Sequence, residues 1–150
     1  MQDPDLNLLI TAAKKAGELA KNYDFRKLKV SEKEGGAGPV TEADIEIDRM
    51  LFKYLTSARP DYGWLCEEST SDIPHYEKNC AFVIDPIDGT RDYINKKNEY
   101  TLNAALIVNS EPALGIVYAP AKDRLFFSYG PDLSFEISGG KTTKLNCKKK

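Results

Sequence analysis

The sequence lacks several features that common functional classes require. It has no apolar run long enough to span a membrane, and its charged N-terminal segment does not resemble a signal peptide. The 21 Lys and Arg residues are intermixed with 23 Asp and Glu residues, so no basic surface for nucleic acid is indicated. Repeats and low-complexity tracts are also absent. We therefore expect the 150 residues to form one domain with a hydrophobic core.

Histidine and cysteine are also scarce. The single histidine, His75, has no obvious partner in its neighbourhood and is expected to be a loop residue. The three cysteines, Cys66, Cys80 and Cys147, are odd in number and lack the spacing of a metal site. They indicate reduced thiols in a cytoplasmic protein, with Cys66 as a small buried residue.

The most informative segment, residues 83–90, reads Val-Ile-Asp-Pro-Ile-Asp-Gly-Thr. Its apolar beginning predicts a buried strand, and Asp85 followed by Pro86 is typical of the opening of a type I turn. Such a turn would bring the carboxylates of Asp85 and Asp88 and the carbonyl of Ile87 to one side. That set of oxygens is what Mg²⁺ prefers, so the segment predicts a divalent-metal site.

The same segment also predicts a phosphate site, since Gly89 and Thr90 would offer backbone N–H groups to an anion. Two alternatives stand beside this interpretation. One is an ordinary turn at the end of a strand. The other is the Asp-x-Asp-Gly-Thr signature of haloacid-dehalogenase-like phosphatases, in which the aspartates stand two apart. Asp85 and Asp88 stand three apart, which suits chelation better than a nucleophile and its partner.

Two adjacent glutamates follow a short apolar segment, residues 64–66. Neighbouring side chains on a strand point to opposite faces, so at most one of the two joins the aspartates unless the chain bends. Glu67, the first residue after the apolar segment, is the predicted metal ligand. Glu68 is predicted to lie in a solvated acidic loop.

A helix is predicted to begin near Thr41, because Asp44 three residues later completes a pattern like a capping box. Asp44 is either a carboxylate that complements the helix dipole or one that accepts a proton, directly or through a hydroxyl. Apolar residues then recur at helical spacing. They are Ile47, Met50, Leu51, Tyr54 and Leu55.

Together, residues 41–44, 67–68 and 85–90 resemble the motifs of the inositol monophosphatase family, which are Mg²⁺-dependent, lithium-sensitive phosphatases. Residues 99–107 and 113–120 resemble the 3′(2′),5′-bisphosphate nucleotidase branch of that family, the CysQ type. The motifs occur in the family's order, and the resemblance covers essentially the whole chain.

The resemblance implies the ligands of two metal ions. Glu67 and Asp85 would bind the first Mg²⁺, helped by the Ile87 carbonyl. Asp85 and Asp88 would share the second. Two metal ions can stabilise both the attacking and the leaving oxygen of an in-line displacement.

The resemblance also implies how substrate and water are held. Asp88, Gly89 and Thr90 would contact the substrate, the last two through backbone N–H groups on the phosphate. Thr90 and Asp44 would together orient and deprotonate a water. Phosphoryl transfer needs mainly positioning and electrostatic stabilisation, so no nucleophilic side chain is required.

The predicted fold class is α+β, an inositol-monophosphatase-like fold with two helices packed on a mainly antiparallel sheet. The first helix should begin at Asp3-Pro4, and one helical turn should follow Thr90. Residues 29–39 are predicted to be a charged, Gly-rich loop. It is either a mobile connection or, as the resemblance implies, a flexible flap over the metals, with Lys33 as a candidate phosphate or metal-water contact. The predicted strands are residues 81–84, 101–108, 113–118, 124–128 and 134–137.

Members of the family continue well past the position of Lys150 and carry another metal-binding aspartate in a Trp-Asp motif. Here the single tryptophan, Trp64, is not followed by Asp. The resemblance therefore implies that residues 1–150 are the N-terminal metal- and phosphate-binding portion of a phosphatase, with an incomplete site. One apolar face of the sheet should remain exposed and promote self-association.

Three hypotheses about function follow. The first is a Mg²⁺-dependent nucleotidase that removes the 3′-phosphate of adenosine 3′,5′-bisphosphate. The second is the same chemistry on another small phosphate, such as inositol monophosphate. The third is a non-catalytic fragment that binds metal and phosphate without turnover.

Overall fold

The computed structural model describes residues 3–68 and 77–146. The sequence predictions for His75 and Cys147 lie outside these residues. Three α-helices are present in the described part: α1 (Pro4–Asn22), α2 (Glu42–Ala58) and α3 (Thr90–Ile94). Nine strands accompany them: β1 (Val30–Glu32), β2 (Pro39–Thr41), β3 (Gly63–Cys66), β4 (Cys80–Asp88), β5 (Thr101–Val108), β6 (Glu111–Ala119), β7 (Arg124–Tyr129), β8 (Leu133–Ser138) and β9 (Lys141–Leu145).

Strands β3 to β9 form one seven-stranded sheet in chain order. All neighbours pair antiparallel except β3 and β4, which are parallel. Antiparallel neighbours need only short connections, and the β5–β6 hairpin turns at Asn109 and Ser110, both with positive φ. The predicted α+β class with a mainly antiparallel sheet is confirmed.

Helices α1 and α2 cover one face of this sheet. Helix α1 begins as predicted, because the side chain of Asp3 accepts hydrogen bonds from the backbone N–H groups of Asp5 and Leu6, each 2.9 Å long. An apolar stripe on α1 faces the core. The fully buried members of that stripe are Leu6, Leu9, Ala13, Ala16 and Ala20. None of the helices in the described part of the chain is long and apolar enough to cross a membrane.

The opposite face of the sheet is open and largely apolar. It forms a groove of about 800 Å³ whose lining includes Val83, Ala105 and Phe126. Leu65 and Val117 on this face are each 42% exposed. The groove reaches the acidic ends of β3 and β4, so the apolar surface and the predicted metal site adjoin each other.

The predicted turn at Asp85-Pro86 is wrong. Strand β4 continues through Asp88, whose partner on β5 is Thr101, and the pairing register shifts between Asp85 and Asp88. Proline has no N–H to donate and is tolerated in a sheet at such an irregularity, so Pro86 does not end the strand. The bulge, rather than a turn, separates the two aspartates.

The sequence analysis missed three strands at other places in the chain, β1, β2 and β9. Residues 29–39 are not simply a loop, because β1 and β2 pair across it, with Val30 opposite Thr41. Strand β9 is exposed along its whole length and rich in Lys and Thr, so it carries no apolar alternation. Its position at the sheet edge comes from pairing with β8, which local pattern does not reveal.

Replacing Gly17 with alanine should destabilise the protein. A Cβ at this position of α1 would collide with the ring of Tyr118 and lie 3.2 Å from the side chain of Pro120. Alanine normally stabilises a helix relative to glycine, but overpacking costs about 1–3 kcal/mol. Urea unfolding of Gly17→Ala measures the loss. The adjacent exposed Glu18→Ala is the control and should change stability little. A stabilising Gly17→Ala would contradict the close approach of α1 to β6.

Placing a charge on the open face should reduce self-association. Val117 is exposed at the centre of this face, so Val117→Glu should lower the association without unfolding the chain. Sedimentation velocity over a range of protein concentrations measures the effect. The same substitution at Thr142, exposed on edge strand β9, is the control. Equal association of the parent and Val117→Glu would show that the open face is not the contact surface.

Candidate metal and phosphate site

The candidate site lies where β3 and β4 end side by side. Strands β3 and β4 are parallel, and Cys66 of β3 pairs with Ile84 of β4. The residue that follows Cys66 and the residue that follows Ile84 therefore lie beside one another. The backbone N–H of Glu67 extends the ladder by donating to the Ile84 carbonyl at 3.2 Å. Glu67 and Asp85, which stand 18 positions apart in the sequence, are thus brought to one edge of the sheet.

Asp85 is held in an electrostatically unfavourable place. Its Oδ1 atom is buried and has no hydrogen-bond partner among the described residues. Burial, together with the negative charges of Glu67 and Asp88, raises the pKa of the Asp85 carboxyl to about 7. A cation at this position would remove the penalty of both burial and like-charge crowding.

The bulge after Asp85 presents two further oxygens. The Ile87 side chain is buried and anchors the segment, while the Ile87 carbonyl accepts a hydrogen bond from the Thr90 hydroxyl at 3.1 Å. Asp88 is exposed, and its carboxylate accepts from the side-chain amide of Asn103 at 3.3 Å. Asn103 lies opposite Asp85 in the β4–β5 register, and the sequence analysis did not identify it as a site residue.

Asp44 joins α2 to the site. It is fully buried, and its carboxylate accepts from both the backbone N–H (2.8 Å) and the hydroxyl of Thr41, which confirms the predicted capping box. Its other oxygen lies 3.3 Å from the hydroxyl of Thr90. Burial raises the pKa of Asp44, although the hydrogen bonds from Thr41 and Thr90 and the charge of Lys33 oppose that rise.

Thr90 begins the single turn of helix α3, as predicted, and its hydroxyl lies between Asp44 and the Ile87 carbonyl. The preceding Gly89 has a φ of 87°, in the left-handed region. A Cβ there would lie 2.8 Å from the carbonyl oxygen of Glu99. Only glycine fits this corner, which turns the chain from β4 into α3.

Glu68 is not the solvated loop residue that the sequence predicted. Its side chain is 6% exposed, and its Oε1 lies 2.6 Å from the ammonium of Lys33. The same ammonium is 3.0 Å from Oε1 of Glu67. The chain leaves β3 after Cys66, so the two carboxylates no longer point to opposite faces and both reach Lys33.

The sequence analysis also missed Asp48, which is buried one helical turn after Asp44. The spacing of four residues on a helix, which places two side chains on one face, was the available signal. Burial, together with the nearby carboxylate of Asp48, raises the pKa of the Cys66 thiol. Cys66 is therefore an unreactive buried residue, as predicted.

The donor set fits a hard divalent cation. No three Asp, Glu, His or Cys side chains within residues 3–68 and 77–146 are arranged as a ready coordination group. The oxygens of Glu67, Asp85, Ile87 and Asp88 are nevertheless gathered at one edge, and one buried oxygen of Asp85 has no hydrogen-bond partner in the described part of the chain. An all-oxygen set with excess negative charge is suited to Mg²⁺.

This architecture is shared with a solved protein. The structure of SuhB from Bartonella henselae superposes with a TM-score of 0.82 at 31% sequence identity, over 89% of this chain and 52% of that one. The chain belongs to the inositol monophosphatase family, whose model matches residues 1–135.

Relatives with different names resemble this chain to a similar degree. The inositol-1-monophosphatase of Caulobacter vibrioides is 37% identical over 122 residues, which are 79% of this chain and 47% of that protein. The 3′(2′),5′-bisphosphate nucleotidase CysQ of Aggregatibacter actinomycetemcomitans is 30% identical over 140 residues, which are 91% of this chain and 51% of that protein. The chain therefore spans about half the length of these relatives.

The raised pKa of Asp85 predicts that the stability of the protein depends on pH. Its pKa is raised from 3.8 in the unfolded chain to about 7, so the folded state binds the proton more tightly between these values. The stability of the metal-free protein should fall as pH rises from about 4 to about 7. At pH 8, Asp85→Asn should be more stable than the parent by roughly 1–3 kcal/mol, after allowance for solvent screening.

Urea unfolding at pH 4.5 and pH 8 with a chelator present measures this difference. Added Mg²⁺ should stabilise the parent at pH 8 more than it stabilises Asp85→Asn. A variant that is less stable than the parent at pH 8, or a difference that does not change with pH, would contradict the crowding of charge around Asp85.

Proposed function

We propose that this chain carries the metal- and phosphate-binding portion of a Mg²⁺-dependent phosphomonoesterase that removes the 3′-phosphate of adenosine 3′,5′-bisphosphate. One observation carries the proposal. The Thr90 hydroxyl lies within hydrogen-bonding distance of both the buried Asp44 carboxylate and the Ile87 carbonyl, beside the crowded carboxylate of Asp85. A carboxylate that can accept a proton, a hydroxyl group and a cluster of carboxylates that favours cation binding are thus adjacent.

In this proposal Glu67, Asp85, Asp88 and the Ile87 carbonyl hold the Mg²⁺ ions. When bound, Mg²⁺ supplies Lewis acidity that lowers the pKa of a coordinated water and neutralises charge on the phosphate. The carboxylates supply the negative charge that holds the ions, and the raised pKa of Asp85 falls once a cation faces it.

Thr90 and Asp44 would move the proton. The Thr90 hydroxyl would take a proton from the attacking water and pass its own to Oδ1 of Asp44, 3.3 Å away. Thr41 holds the other oxygen of Asp44, so the free oxygen stays aimed at Thr90. A carboxylate whose burial raises its pKa is a better proton acceptor than one in water.

The backbone N–H groups of Gly89 and Thr90 would hold the phosphate, with Asp88 beside the substrate. The left-handed conformation of Gly89 turns the backbone at the corner between β4 and α3. Oriented backbone N–H groups bind phosphate without adding a side-chain charge that would compete for the metal.

The choice of substrate rests on relatives. The match to CysQ extends over 91% of the chain, farther than the 79% matched by the inositol-1-monophosphatase of Caulobacter vibrioides. The second relative has the higher identity, 37%, so inositol 1-phosphate is the competing substrate. Because the chain spans about half of each relative, a third outcome is binding of metal and phosphate without turnover.

Phosphate release from adenosine 3′,5′-bisphosphate and from inositol 1-phosphate, each with and without Mg²⁺, tests the proposal. We expect the parent to release phosphate faster from adenosine 3′,5′-bisphosphate than from inositol 1-phosphate, and only when Mg²⁺ is present. Asp85→Asn should lower that rate at least about 100-fold, as loss of a group that positions a metal does. The exposed Asp61→Asn serves as the matched control and should keep the parent's rate.

Each other result has a definite meaning. Faster phosphate release from inositol 1-phosphate would show that this compound, and not the nucleotide, is the preferred substrate. Metal and phosphate binding without release from either compound would support the non-catalytic alternative. Hydrolysis by Asp85→Asn at the parent's rate would show that the site is elsewhere.

A further inference from the structure

A second pocket, of about 330 Å³, lies between the C-terminal end of α1 and the loop that joins α3 to β5. Its lining combines three lysines with three aromatic residues. They are Lys21, Lys96, Lys97, Phe25, Tyr93 and Tyr100. Among the described residues that line it, none is a predicted metal ligand, so the pocket is separate from the candidate metal site.

The pocket is positively charged. In the described part of its lining, no Asp or Glu accompanies the three lysines. Lys21 and Lys97 contact carboxylates outside the lining, that of Glu18 at 2.7 Å and that of Asp92 at 3.5 Å. Both ion pairs are exposed to solvent, and exposed pairs contribute little to stability. The lysines can therefore turn toward an anion in the pocket at small cost.

Aromatic rings form the inner wall of the pocket. Tyr93 and Tyr100 are buried with their ring centroids 4.9 Å apart, and the Tyr93 hydroxyl donates to the Ala20 carbonyl at 2.8 Å. Phe25 packs against Tyr93 at 5.0 Å and is half-buried, so part of its ring stays accessible. The Lys96 ammonium lies 5.7 Å from the centroid of the Phe25 ring, near the limit of a cation–π contact. An accessible ring and a weakly held ammonium therefore lie side by side.

The backbone at Lys96 adopts a conformation that glycine prefers, with a φ of 57°. The N–H of Lys96 donates to the Tyr93 carbonyl at 3.0 Å, and the N–H of Lys97 donates to the Asp92 carbonyl at 2.8 Å. These two bonds form the Schellman motif that ends a helix, in which glycine usually occupies the left-handed position. A lysine there lowers stability relative to glycine. Strain of this kind is typical of functional sites.

We propose that this pocket binds a small planar aromatic dianion, whose ring packs on Phe25 and whose charges are held by Lys96 and the two neighbouring lysines. Three ammonium groups around one pocket favour a dianion over a monoanion. The volume of about 330 Å³ is at the lower end of the range for ligand pockets, which fits a ligand with one ring. The bound molecule would contact both the end of α1 and the loop after α3.

Titration of ¹⁵N-labelled protein with benzene-1,3-dicarboxylate, followed by NMR in Mg²⁺-free buffer, tests the pocket. The amide signals of Lys21, Phe25 and residues 96–98 should shift and saturate, whereas those of Glu67 and Asp85 should not move, because the acidic edge repels a dianion. Cyclohexane-1,3-dicarboxylate carries the same charges without an aromatic ring. It should bind about threefold more weakly, the order expected for loss of one aromatic contact.

The variant Lys96→Gly separates ligand binding from stability. Glycine relieves the left-handed strain, so the urea midpoint should rise. The Kd for benzene-1,3-dicarboxylate should also rise, about fivefold, the upper range for one exposed charge pair. A lysine retained only for structure would not give a more stable protein with weaker binding. Lys53→Ala removes an exposed lysine from α2 and is the control, with the Kd of the parent.

Shifts that do not saturate, or that centre elsewhere on the protein, would overturn the site. An unchanged Kd in Lys96→Gly would overturn the role of Lys96, and a lower urea midpoint would overturn the strain of its backbone. Equal affinity for the two dicarboxylates would overturn the aromatic contact. These measurements need neither metal nor turnover, so their outcome is independent of the proposed function.

Discussion

The buried carboxylate of Asp44 is the interaction on which the site's arrangement depends. One of its oxygens caps helix α2 through Thr41, and the other faces the hydroxyl that begins α3. A fully buried carboxylate is costly unless it is hydrogen-bonded, so its partners must keep their positions. The start of α2, the start of α3 and the bulge of β4 are therefore held in one geometry, although 46 residues separate Asp44 from Thr90.

The neighbouring acidic edge has the opposite character. Asp85 is placed among like charges, and its buried Oδ1 atom has no hydrogen-bond partner among residues 3–68 and 77–146. Both features lower stability in the absence of a cation. Lys33 offsets part of this charge by contacting two glutamates. The hydrogen-bonded network around Asp44, which fixes the geometry, thus adjoins the carboxylates around Asp85, which favour cation binding. Carboxylates with raised pKa values are typical of functional sites.

Sequence pattern was sufficient where local chemistry decides the structure. The Asp3 cap, the Thr41 capping box and the strand at residues 101–108 follow from such patterns and are confirmed. The course of β4 through Pro86, the pairing of β9 and the burial of Glu68 depend on contacts between distant segments. A contact such as that of Lys33 with Glu68 spans 35 residues, and no periodicity within either segment encodes it.

The most direct test of a metal site at this edge is anomalous diffraction from crystals of the protein soaked in Mn²⁺. Our account predicts an anomalous peak within about 2.5 Å of the carboxylate of Asp85, with Glu67 or the Ile87 carbonyl as a second ligand. A peak elsewhere on the molecule, or an acidic edge that stays without a peak at saturating Mn²⁺, would contradict it.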